Sequence, residues 1–349
     1  MAKIPVSILA ATGAVGQRFV QLLSEHPTFE IVSLAASERS AGKTYAEAAN
    51  WVLAGGPPES VAKMKVQEID TNLEGRLAFS ALPSGVAREV EPKFAEAGYI
   101  VCSNASAYRN APDVPLLIPE INGDHIALLE KQKAERGWEG LIVTSPNCTT
   151  TGIAIPLKPL DKAFGVKQVF VSSMQAISGA GYPGVASLDI MDNVVPYIGG
   201  EEDKVEEETR LLLGSIVEGE RVPLDAPVTA HCNRVPVVDG HTVCISVGFE
   251  NPPSVDKAIE AMRKFRGTKK VQALPGVPEY PIWVTDEPAR PQPRRDRDNG
   301  NGMVITVGRV RPCNVLDLRM VTVSHNTLRG AASGAILNAE LLAAEGYLK

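Results

Sequence analysis

The sequence predicts an α/β protein with two domains, a doubly wound parallel sheet followed by a domain of α+β type. Its 349 residues exceed the usual size of one hydrophobic core, which favours two domains with a cleft between them. Up to about residue 145, short apolar runs alternate with helix-like stretches, as in parallel sheets that helices cover on both faces. From Val166 onward the runs are longer and alternate apolar with polar residues, which indicates a sheet open on one face.

The individual elements follow from these patterns. The predicted strands of the first domain are KIPVSILA, FEIVSLAA, LAFSAL, GYIVCSNA and LIVTSP, and its first helix is VGQRFVQLLSEH. The predicted strands of the second domain are KQVFVSSMQAIS, PVTAHCNRVPVV, HTVCISVGFE, MVITVGRVR and LDLRMVTVSH. Residues 273–302 are rich in proline and charge, and we expect an ordered long loop without helix or strand there. The final run, LRGAASGAILNAELLAAEGYL, has helical spacing, and we expect it to pack back on the first domain.

Composition excludes several classes of function. A net charge of -6 and a pI near 5.6 provide no basic surface for nucleic acid or for an anionic membrane. No stretch approaches the roughly 20 apolar residues of a membrane helix, and the N-terminus lacks the cleavage site of a signal peptide. The five cysteines are odd in number and form no CxxC pair. We therefore expect a reducing, cytoplasmic setting, no disulfide framework and no metal site.

The first strand-to-helix turn has the features of a dinucleotide site. Residues 10–16 read A-x-x-G-x-x-G and open a helix. Small residues let the backbone approach a pyrophosphate, and the N–H groups of a helix start favour its charge. We expect cofactor contacts at Thr12, Gly13, Ala14 and Val15. The alternative is an ordinary turn, since the motif departs from the usual G-x-G-x-x-G.

The segment after the second predicted strand bears on the choice of cofactor. Ser37, Arg39 and Ser40 could hold a 2′-phosphate by hydrogen bonds and charge, with Lys43 close behind, and this favours NADP. Glu38 supports the alternative, because an acid at this point binds the ribose hydroxyls of NAD.

Cys148 is the candidate nucleophile. It lies in SPNCTT, between the strand LIVT and a helix-like run, so we expect it at a helix start. The positive end of a helix is expected to lower the pKa of the thiol. The other four cysteines lie in or beside predicted strands and are expected to be buried, inert thiols. They are Cys102, Cys232, Cys244 and Cys313.

Residues 233–241, with the sequence NRVPVVDGH, provide a partner for the thiol. The run predicts a hairpin, with a strand, an Asp-Gly turn and a second strand. Arg234 and His241 would then flank one edge of the second domain. A histidine beside a cysteine can take the thiol proton and later serve as acid or base, while an arginine can hold an anionic substrate. Either residue alone would be an ordinary surface residue.

These blocks together resemble one family. TGAVG, ASERSAGK, SNASAYR, SPNCTT, MQAISGAGYPG, GGEEDK, RVPVVDGH and HNTLRGAA resemble the aspartate-semialdehyde dehydrogenases, particularly the form found in archaea, fungi and some bacteria. The resemblance implies an NADP-binding Rossmann domain over residues 1–147, completed by a C-terminal helix over 327–349. It also implies a catalytic and dimerisation domain over residues 148–326. The one departure is Ala10, where glycine is commoner, which adds a methyl group at the pyrophosphate turn.

The resemblance implies roles for individual residues. Cys148 looks like the acyl-thioester nucleophile of the family, and His241 looks like its acid/base. Arg234 resembles the group that holds the substrate carboxylate. Gln175 resembles the side chain that orients the substrate, and Glu201 resembles the carboxylate that receives the substrate amino group.

Other positions complete the implied sites. Asn147 resembles a further substrate contact, and Arg109 and Lys204 resemble the phosphate-binding pair. The contacts implied for the nicotinamide half of the cofactor are Ser178, Gly179 and Asn326. By pattern alone, EEDKVEEETR is a solvated, charge-laced helix. Glu202 could exchange with its neighbour Glu201 in the role given above.

The implied activity is the NADPH-dependent reduction of 4-phospho-L-aspartate to L-aspartate 4-semialdehyde with release of phosphate, a step toward lysine, threonine and methionine. The implied assembly is a homodimer or homotetramer. Two alternatives stay open. A malonyl-CoA reductase of the same fold would not need a phosphate-binding pair. A non-catalytic NADP-binding sensor would have no reason to keep Cys148, Arg234 and His241 together.

Overall fold

The computed structural model describes residues 2–348 and contains two six-stranded sheets and a two-stranded sheet. The strands are β1 (Ile4–Leu9), β2 (Phe29–Ala36), β3 (Gln67–Glu68), β4 (Leu77–Ser80), β5 (Ile100–Ser103), β6 (Leu141–Thr144), β7 (Val166–Gln175), β8 (Ser215–Val217), β9 (Glu220–Val222), β10 (Val228–Arg234), β11 (His241–Phe249), β12 (Ile282–Thr285), β13 (Ile305–Pro312) and β14 (Leu318–Ser324). The α-helices are α1 (Ala14–Leu23), α2 (Tyr45–Ala48), α3 (Glu59–Ala62), α4 (Ser84–Glu96), α5 (Pro119–Asn122), α6 (Leu128–Arg136), α7 (Cys148–Phe164), α8 (Ser187–Ile190), α9 (Glu201–Leu213), α10 (Val255–Lys264), α11 (Lys269–Gln272), α12 (Pro293–Asp296) and α13 (Ser333–Ala344). Within the described residues, no helix is long and apolar enough to cross a membrane.

The first sheet is parallel, with the strand order β3-β2-β1-β4-β5-β6. This is the order of a Rossmann fold, in which the direction of winding reverses between β1 and β4. β4 and β6 are buried along their whole length, as expected of strands that helices cover on both faces. The five strands predicted for this domain are confirmed. β3 consists of two exposed residues without an apolar pattern, so the sequence does not predict it.

The C-terminal helix completes the core of the first sheet, which confirms the predicted packing. Residues 335–342 of α13 are buried without interruption, so this helix has no solvent-facing stripe in that stretch. Leu337 and Leu342 belong to the same core as Val6 and Phe79 of the first sheet. α4 covers the opposite face of the sheet. The first core therefore contains segments from both ends of the chain.

The second sheet is mixed, with the order β10-β7-β11-β14-β13-β12. One face packs against α7, α9 and α10. The other face is exposed: on β7, Phe170 is 40% exposed, whereas its neighbours Val169 and Val171 are buried. This arrangement confirms the predicted sheet with one open face, which we call the open face.

The hairpin predicted over residues 233–241 is wrong. β10 pairs in parallel with β7, with Arg234 opposite Gln175, and β7 lies between β10 and β11. The connection from β10 to β11 instead crosses the end of β7, where the N–H of Ile177 donates to the carbonyl of Val237 at 2.8 Å. A hairpin requires adjacent antiparallel strands, and the edge of β11 that β10 would need is already paired with β7.

Residues 273–302 contain more regular structure than the loop predicted for them, and that prediction is wrong in part. β12 adds an edge strand parallel to β13, with Ile282 and Val284 buried. α12 is a single turn that begins at Pro293, a position where proline is tolerated. The apolar run IWVT forms a strand despite its proline-rich surroundings, because an edge strand needs pairing on one side only.

Two of the four cysteines predicted to be buried are not. Cys102 and Cys232 are buried, whereas Cys244 is exposed and Cys313 is partly exposed. Cys244 lies on β11, where the alternation of a strand points it to the open face. Whether a cysteine in a strand is buried therefore depends on which face of the sheet it points to. The apolar character of the surrounding sequence does not determine that face.

Candidate active site

Cys148 begins α7, directly after β6 at the carboxyl edge of the first sheet. Asn147 is the N-cap of this helix. Its Oδ1 accepts hydrogen bonds from the N–H groups of Thr149 at 2.8 Å and Thr150 at 3.2 Å. This cap satisfies two of the helix's first N–H groups and fixes the first turn. The candidate nucleophile thus lies at a helix start, as its sequence context predicts.

His241 lies beside the thiol. Its Nε2 is 3.2 Å from Sγ of Cys148. Its Nδ1 accepts a hydrogen bond from the N–H of Ala176 at 3.0 Å. Because a backbone N–H can only donate, Nδ1 carries no proton, and the neutral ring holds its proton on Nε2. His241 therefore presents an N–H toward the sulfur. In this tautomer Nε2 cannot accept the thiol proton, so the expectation that His241 takes that proton is wrong for the free protein, and its Nε2–H serves as a donor.

Burial keeps both members of this pair neutral in the free protein. Burial raises the pKa of the Cys148 thiol to about 12, and the nearby Glu201 carboxylate adds to the rise. The charges of Arg109 and Arg234 oppose it. Burial, together with the smaller effect of the Arg234 charge, lowers the pKa of His241 to about 3. The expected lowering of the thiol pKa is therefore wrong for the free protein, because the loss of hydration outweighs the field of the helix start.

Arg234 is fixed next to this pair. Its Nη1 donates to the carbonyl of Ala176 at 2.8 Å, so Ala176 contacts both Arg234 and His241. Gly179 packs against the same two side chains. A Cβ at Gly179 would lie 2.8 Å from Nη1 of Arg234 and 3.2 Å from Cε1 of His241. Any side chain at this position would displace one of these groups.

Gln175 ends β7 opposite Arg234 in the strand register. The side chain is buried, and its Nε2 donates to Oγ of Ser173 at 3.2 Å. Gln175 directly precedes Ala176. The two predicted substrate contacts from β7 and β10 therefore meet at one end of the second sheet.

The charged face of α9 meets the start of α7. Nδ2 of Asn147 donates to Oε1 of Glu201 at 2.9 Å, and Nζ of Lys204 is 3.8 Å from Oε2 of Glu201. Glu202 instead accepts a hydrogen bond from the N–H of Cys232 at 2.9 Å. The structure thus separates the two glutamates that were interchangeable by sequence, and Glu201 is the one that contacts Asn147.

Arg109 reaches Asn147 through a second glutamate. Nη1 of Arg109 donates to Oε1 of Glu208 at 2.9 Å, and Nη2 donates to the carbonyl of Asn104 at 2.7 Å. Oε2 of Glu208 accepts from the N–H of Asn147 at 2.5 Å. Nε of Arg109 is buried without a hydrogen-bond partner in the described part of the chain, so it is a donor that is still unsatisfied. Sequence reasoning missed Glu208; its place two turns after Glu201, on the same face of α9, is the signal that could have found it.

A cleft of about 380 Å³ lies between α1 and the second domain. Ala14 and Arg18 of α1 line it on one side, and Ser178 lines it on the other. Oγ of Ser178 accepts from Nδ2 of Asn326 at 2.8 Å, and Oδ1 of Asn326 accepts from the N–H of Gly240 at 2.8 Å. Ala14 of the predicted pyrophosphate turn and Ser178 of the predicted nicotinamide contacts therefore line the same cleft, and Asn326 is hydrogen-bonded to Ser178.

The turn before α1 fits a pyrophosphate. Gly13 is the N-cap and has no side chain to cap the helix, which leaves the N–H groups of Ala14 and Val15 for a ligand. A Cβ at Gly16 would lie 2.2 Å from the carbonyl oxygen of Ala10, so the close return of the chain requires glycine. Ala10 itself has a φ of 60°, in the left-handed region. The alanine at position 10 therefore adds a methyl group and also adopts a backbone conformation that favours glycine.

The segment after β2 is a surface turn. The N–H of Ser40 donates to the carbonyl of Ser37 at 2.8 Å, and Ser37, Glu38 and Arg39 are exposed. β2 pairs with β1, so this turn lies at the same sheet edge as the pyrophosphate turn. Neither Arg39 nor Glu38 forms a salt bridge within residues 2–348. Both side chains remain available to a ribose or its 2′-phosphate.

Comparisons with known proteins agree with this geometry. A family model described as semialdehyde dehydrogenase, NAD binding domain, matches residues 5–129, and one described as semialdehyde dehydrogenase, dimerisation domain, matches residues 157–329. The aspartate-semialdehyde dehydrogenase of Methanothermobacter thermautotrophicus is 54% identical over 97% of this chain and 99% of its own length. That of Schizosaccharomyces pombe is 46% identical over 100% of both chains. The crystal structure of the Candida albicans enzyme with NADP superposes with a TM-score of 0.90 at 44% identity and covers 99% of each chain. The chain therefore belongs to the aspartate-semialdehyde dehydrogenase family.

Proposed function

We propose that this protein is an NADP-dependent aspartate-semialdehyde dehydrogenase that reduces 4-phospho-L-aspartate to L-aspartate 4-semialdehyde and releases phosphate. The observation that carries the proposal is the 3.2 Å contact between Sγ of Cys148 and Nε2 of His241 at a helix start. Relatives that are named aspartate-semialdehyde dehydrogenase and match over nearly their full length support the proposal. The product feeds the synthesis of lysine, threonine and methionine.

The charges around Cys148 match those of the substrate. Arg234 binds the α-carboxylate, with Gln175 beside it, and Glu201 binds the amino group. Arg109 and Lys204 bind the phosphate, and Nε of Arg109 is the buried donor still available for it. Each charged group of phospho-aspartate thus has at least one oppositely charged side chain as its partner.

The first half-reaction forms a thioester. Sγ of Cys148 bonds to the acyl carbon, the bond from that carbon to the phosphate oxygen breaks, and phosphate leaves toward Arg109 and Lys204. The proton lost by the thiol is balanced by the departing group, which leaves as hydrogen phosphate. This covalent step divides one difficult reduction into two easier reactions, because a thioester accepts hydride more readily than a carboxylate.

The second half-reaction reduces the thioester. NADPH, bound in the cleft beside Ser178, Gly179 and Asn326, supplies the hydride. The oxygen of the resulting thiohemiacetal is negatively charged. The Nε2–H of His241 and N–H groups at the start of α7 can donate to it. The carbon–sulfur bond then breaks, which frees the aldehyde and leaves Cys148 as a thiolate. The thiolate takes up one proton from solvent, which restores the thiol and accounts for the proton that the reduction consumes.

The preference for NADP rests on the exposed Ser37 and Arg39 and the partly exposed Ser40, which lie at the same sheet edge as the pyrophosphate turn. The bond between a guanidinium and a phosphate is stronger and more directional than one to a ribose hydroxyl. Neither of the alternatives considered from sequence is supported. The relatives share one name, and Cys148, Arg234 and His241 form a connected group that a sensor would not need.

The proposed assembly is a homodimer, or a tetramer of such dimers, formed through the open face of the second sheet. The family model over residues 157–329 is described as a dimerisation domain. The open face carries an apolar groove of about 540 Å³, with Phe170 and the 88% exposed Val315 in its lining. The proposed domains are 1–147 with 327–349, and 148–326. The proposed location is the cytoplasm, where the thiol of Cys148 stays reduced.

An assay of the purified protein tests the function. Aspartate semialdehyde, phosphate and NADP should together yield NADPH, and omission of phosphate should abolish the reaction. Cys148→Ala should remove turnover while NADP binding persists; activity above about a tenth of the unaltered protein would overturn the covalent mechanism. In a parallel assay, faster reduction of malonyl-CoA than of the acyl phosphate would overturn the substrate assignment.

A further inference from the structure

We propose that Glu208 is a positioning residue for phosphate transfer. Its carboxylate holds the Arg109 side chain at a fixed position relative to the start of α7, the helix that carries the proposed nucleophile. The inference rests on the proposed function, since it requires phosphate to be a substrate. It assigns a role to a side chain that lies outside the set of expected substrate contacts.

Both oxygens of the Glu208 carboxylate are used. Oε1 accepts from Nη1 of Arg109 at 2.9 Å, and Oε2 accepts from the N–H of Asn147 at 2.5 Å. The Glu208 residue is only 2% exposed. Arg109 follows β5, Asn147 caps α7, and Glu208 belongs to α9, so one carboxylate links a loop of the first domain to two helices of the second.

The backbone of Arg109 is held separately. Arg221 donates from Nη1 to the carbonyl of Arg109 at 3.1 Å and from Nη2 to the carbonyl of Ala111 at 3.1 Å. Arg221 therefore fixes the loop, and Glu208, with the carbonyl of Asn104, orients the guanidinium. The remaining donor, Nε, then has a defined direction.

The negative charge of Glu208 is unfavourable both for phosphate binding and for the stability of the protein. A carboxylate next to a phosphate site repels the substrate, and burial raises the pKa of Glu208, which shows that its charged form is desolvated. Buried ion pairs are often neutral or unfavourable for stability compared with apolar replacements. Glu208 offsets the repulsion of phosphate and the cost of its own burial because it orients Arg109 and the start of α7.

Repulsion of phosphate by Glu208 and positioning of Arg109 by Glu208 predict opposite changes in the KM for phosphate. If its charge only repels phosphate, Glu208→Gln should lower the KM for phosphate. If Glu208 positions Arg109, the same substitution should raise that KM by roughly tenfold, the effect of one charge-assisted hydrogen bond. The glutamine has only one acceptor for the two donors, and its NH₂ group would face an N–H. The KM values for NADP and aspartate semialdehyde should stay within about twofold.

Glu207→Gln is the matched control. Glu207 is the adjacent residue of α9, is exposed and bonds the surface side chain of Asn110 at 2.6 Å. The control removes the same charge from the same helix without touching Arg109 or Asn147. Its phosphate KM should equal that of the unaltered protein.

The double variant Arg109→Ala, Glu208→Gln tests whether Glu208 acts through Arg109. If it does, the double variant should raise the phosphate KM no further than Arg109→Ala alone. Full addition of the two effects would overturn the positioning role. Should Glu208→Gln fail to fold by circular dichroism, Glu208→Asp tests the same contact with a shorter reach, and an unchanged phosphate KM would overturn the inference.

Failure of the inference is distinct from failure of the proposed function. If the unaltered protein needs phosphate but Glu208→Gln leaves the phosphate KM unchanged or lowers it, Glu208 has no positioning role and the function stands. If the unaltered protein oxidises aspartate semialdehyde without phosphate, the proposed function fails, and the role of Glu208 fails with it.

Discussion

Two effects act in opposite directions on the thiol of Cys148. A helix start stabilises a nearby anion by at most about 2 kcal/mol, which corresponds to about 1.5 pKa units. Loss of hydration shifts the pKa of an ionisable group toward the neutral form, by up to about 3–5 units when the group is fully buried. Cys148 is partly exposed as a residue, but its thiol lies among packed side chains. The larger effect prevails in the free protein, and burial raises the pKa of Cys148 to about 12.

We therefore predict that Cys148 of the free protein alkylates slowly near neutral pH. Only the thiolate reacts, so the rate with iodoacetamide should keep rising with pH and reach no plateau below about pH 9. An unstructured cysteine peptide in the same solution is the comparison, because its thiol has the ordinary pKa of about 8.5 and should react at lower pH. Mass spectrometry separates the labelled Cys148 peptide from the labelled comparison peptide. A plateau for Cys148 below about pH 8 would show that the helix start prevails.

Ala10 carries a conformation that alanine disfavours. Its φ of 60° costs an L-residue about 1–2 kcal/mol, whereas glycine adopts it freely. An Ala to Gly change elsewhere destabilises by about 0.5–1 kcal/mol through the entropy of the unfolded chain. At Ala10 the relief of strain should offset this loss.

Ala10→Gly should therefore leave the free energy of unfolding unchanged or raise it by up to about 1 kcal/mol. Ala11→Gly is the control, because Ala11 is buried and does not have a positive φ; it should lose about 1 kcal/mol. Urea denaturation of both variants measures the difference. Equal destabilisation of the two would mean that the turn at Ala10 is not strained.

At the scale of elements, the segment before α13 packs against Cys148, the proposed nucleophile. Residues Leu328–Ala332 form a π-helical turn, a geometry frequent at functional sites. A Cβ at Gly330 would lie 2.7 Å from Cβ of Cys148. The adjacent Arg329 is buried and pairs with Glu120 at 2.8 Å, which holds the turn against the first domain. The turn Leu328–Ala332 thus packs against the backbone and Cβ of Cys148 and limits its movement.

Gly330→Ala should displace Cys148. Overpacking of this kind destabilises by about 1–3 kcal/mol, and a misplaced nucleophile should lower kcat at least tenfold while the KM for NADP changes little. Gly85→Ala on α4 is the control, since its added Cβ meets no atom within 4 Å. Steady-state kinetics and thermal unfolding of both variants provide the comparison. An unaltered kcat in Gly330→Ala would show that Cys148 does not depend on this contact.

At the scale of the whole molecule, the chain begins and ends in the first domain and builds the second domain between. Both domains contribute to the site: Arg109 and the pyrophosphate turn come from the first, and His241, Arg234 and Glu208 come from the second. The open face of the second sheet lies on the side opposite α7 and α9, which carry the site. Assembly through the open face would therefore leave the cleft accessible.

Phe170→Asp should weaken that assembly. A buried charge in place of an aromatic anchor should raise the dissociation constant roughly thirtyfold or more, the effect of about 2 kcal/mol at a hot spot. Val86→Asp is the control, because Val86 lies on α4 of the first domain and is 44% exposed, close to the 40% of Phe170. Light scattering after size-exclusion chromatography measures the mass. If Phe170→Asp keeps the mass of the unaltered protein at all dilutions, the open face is not the interface.

Part of the fold and site follows from local patterns. The strands of both large sheets except β3 and β12 follow from apolar periodicity, and the helix start at Cys148 follows from SPNCTT after a buried strand. The family follows from motifs in a fixed order. The strands and the helix start depend on residues within a few positions of one another, and the family depends on the order of short motifs along the chain. The sequence alone therefore determines these features.

The remaining features depend on contacts between distant segments, and only the tertiary structure decided them. The order of strands made β10 a neighbour of β7 and not of β11, because backbone pairing is set by the whole sheet. Burial reversed the expected direction of the Cys148 pKa, since desolvation depends on everything packed around the thiol. The partners of Asn147 are Glu201 and Glu208 of α9, more than fifty residues along the chain. Their two-turn spacing places them on one face of the helix, but only the tertiary structure brings that face to Asn147.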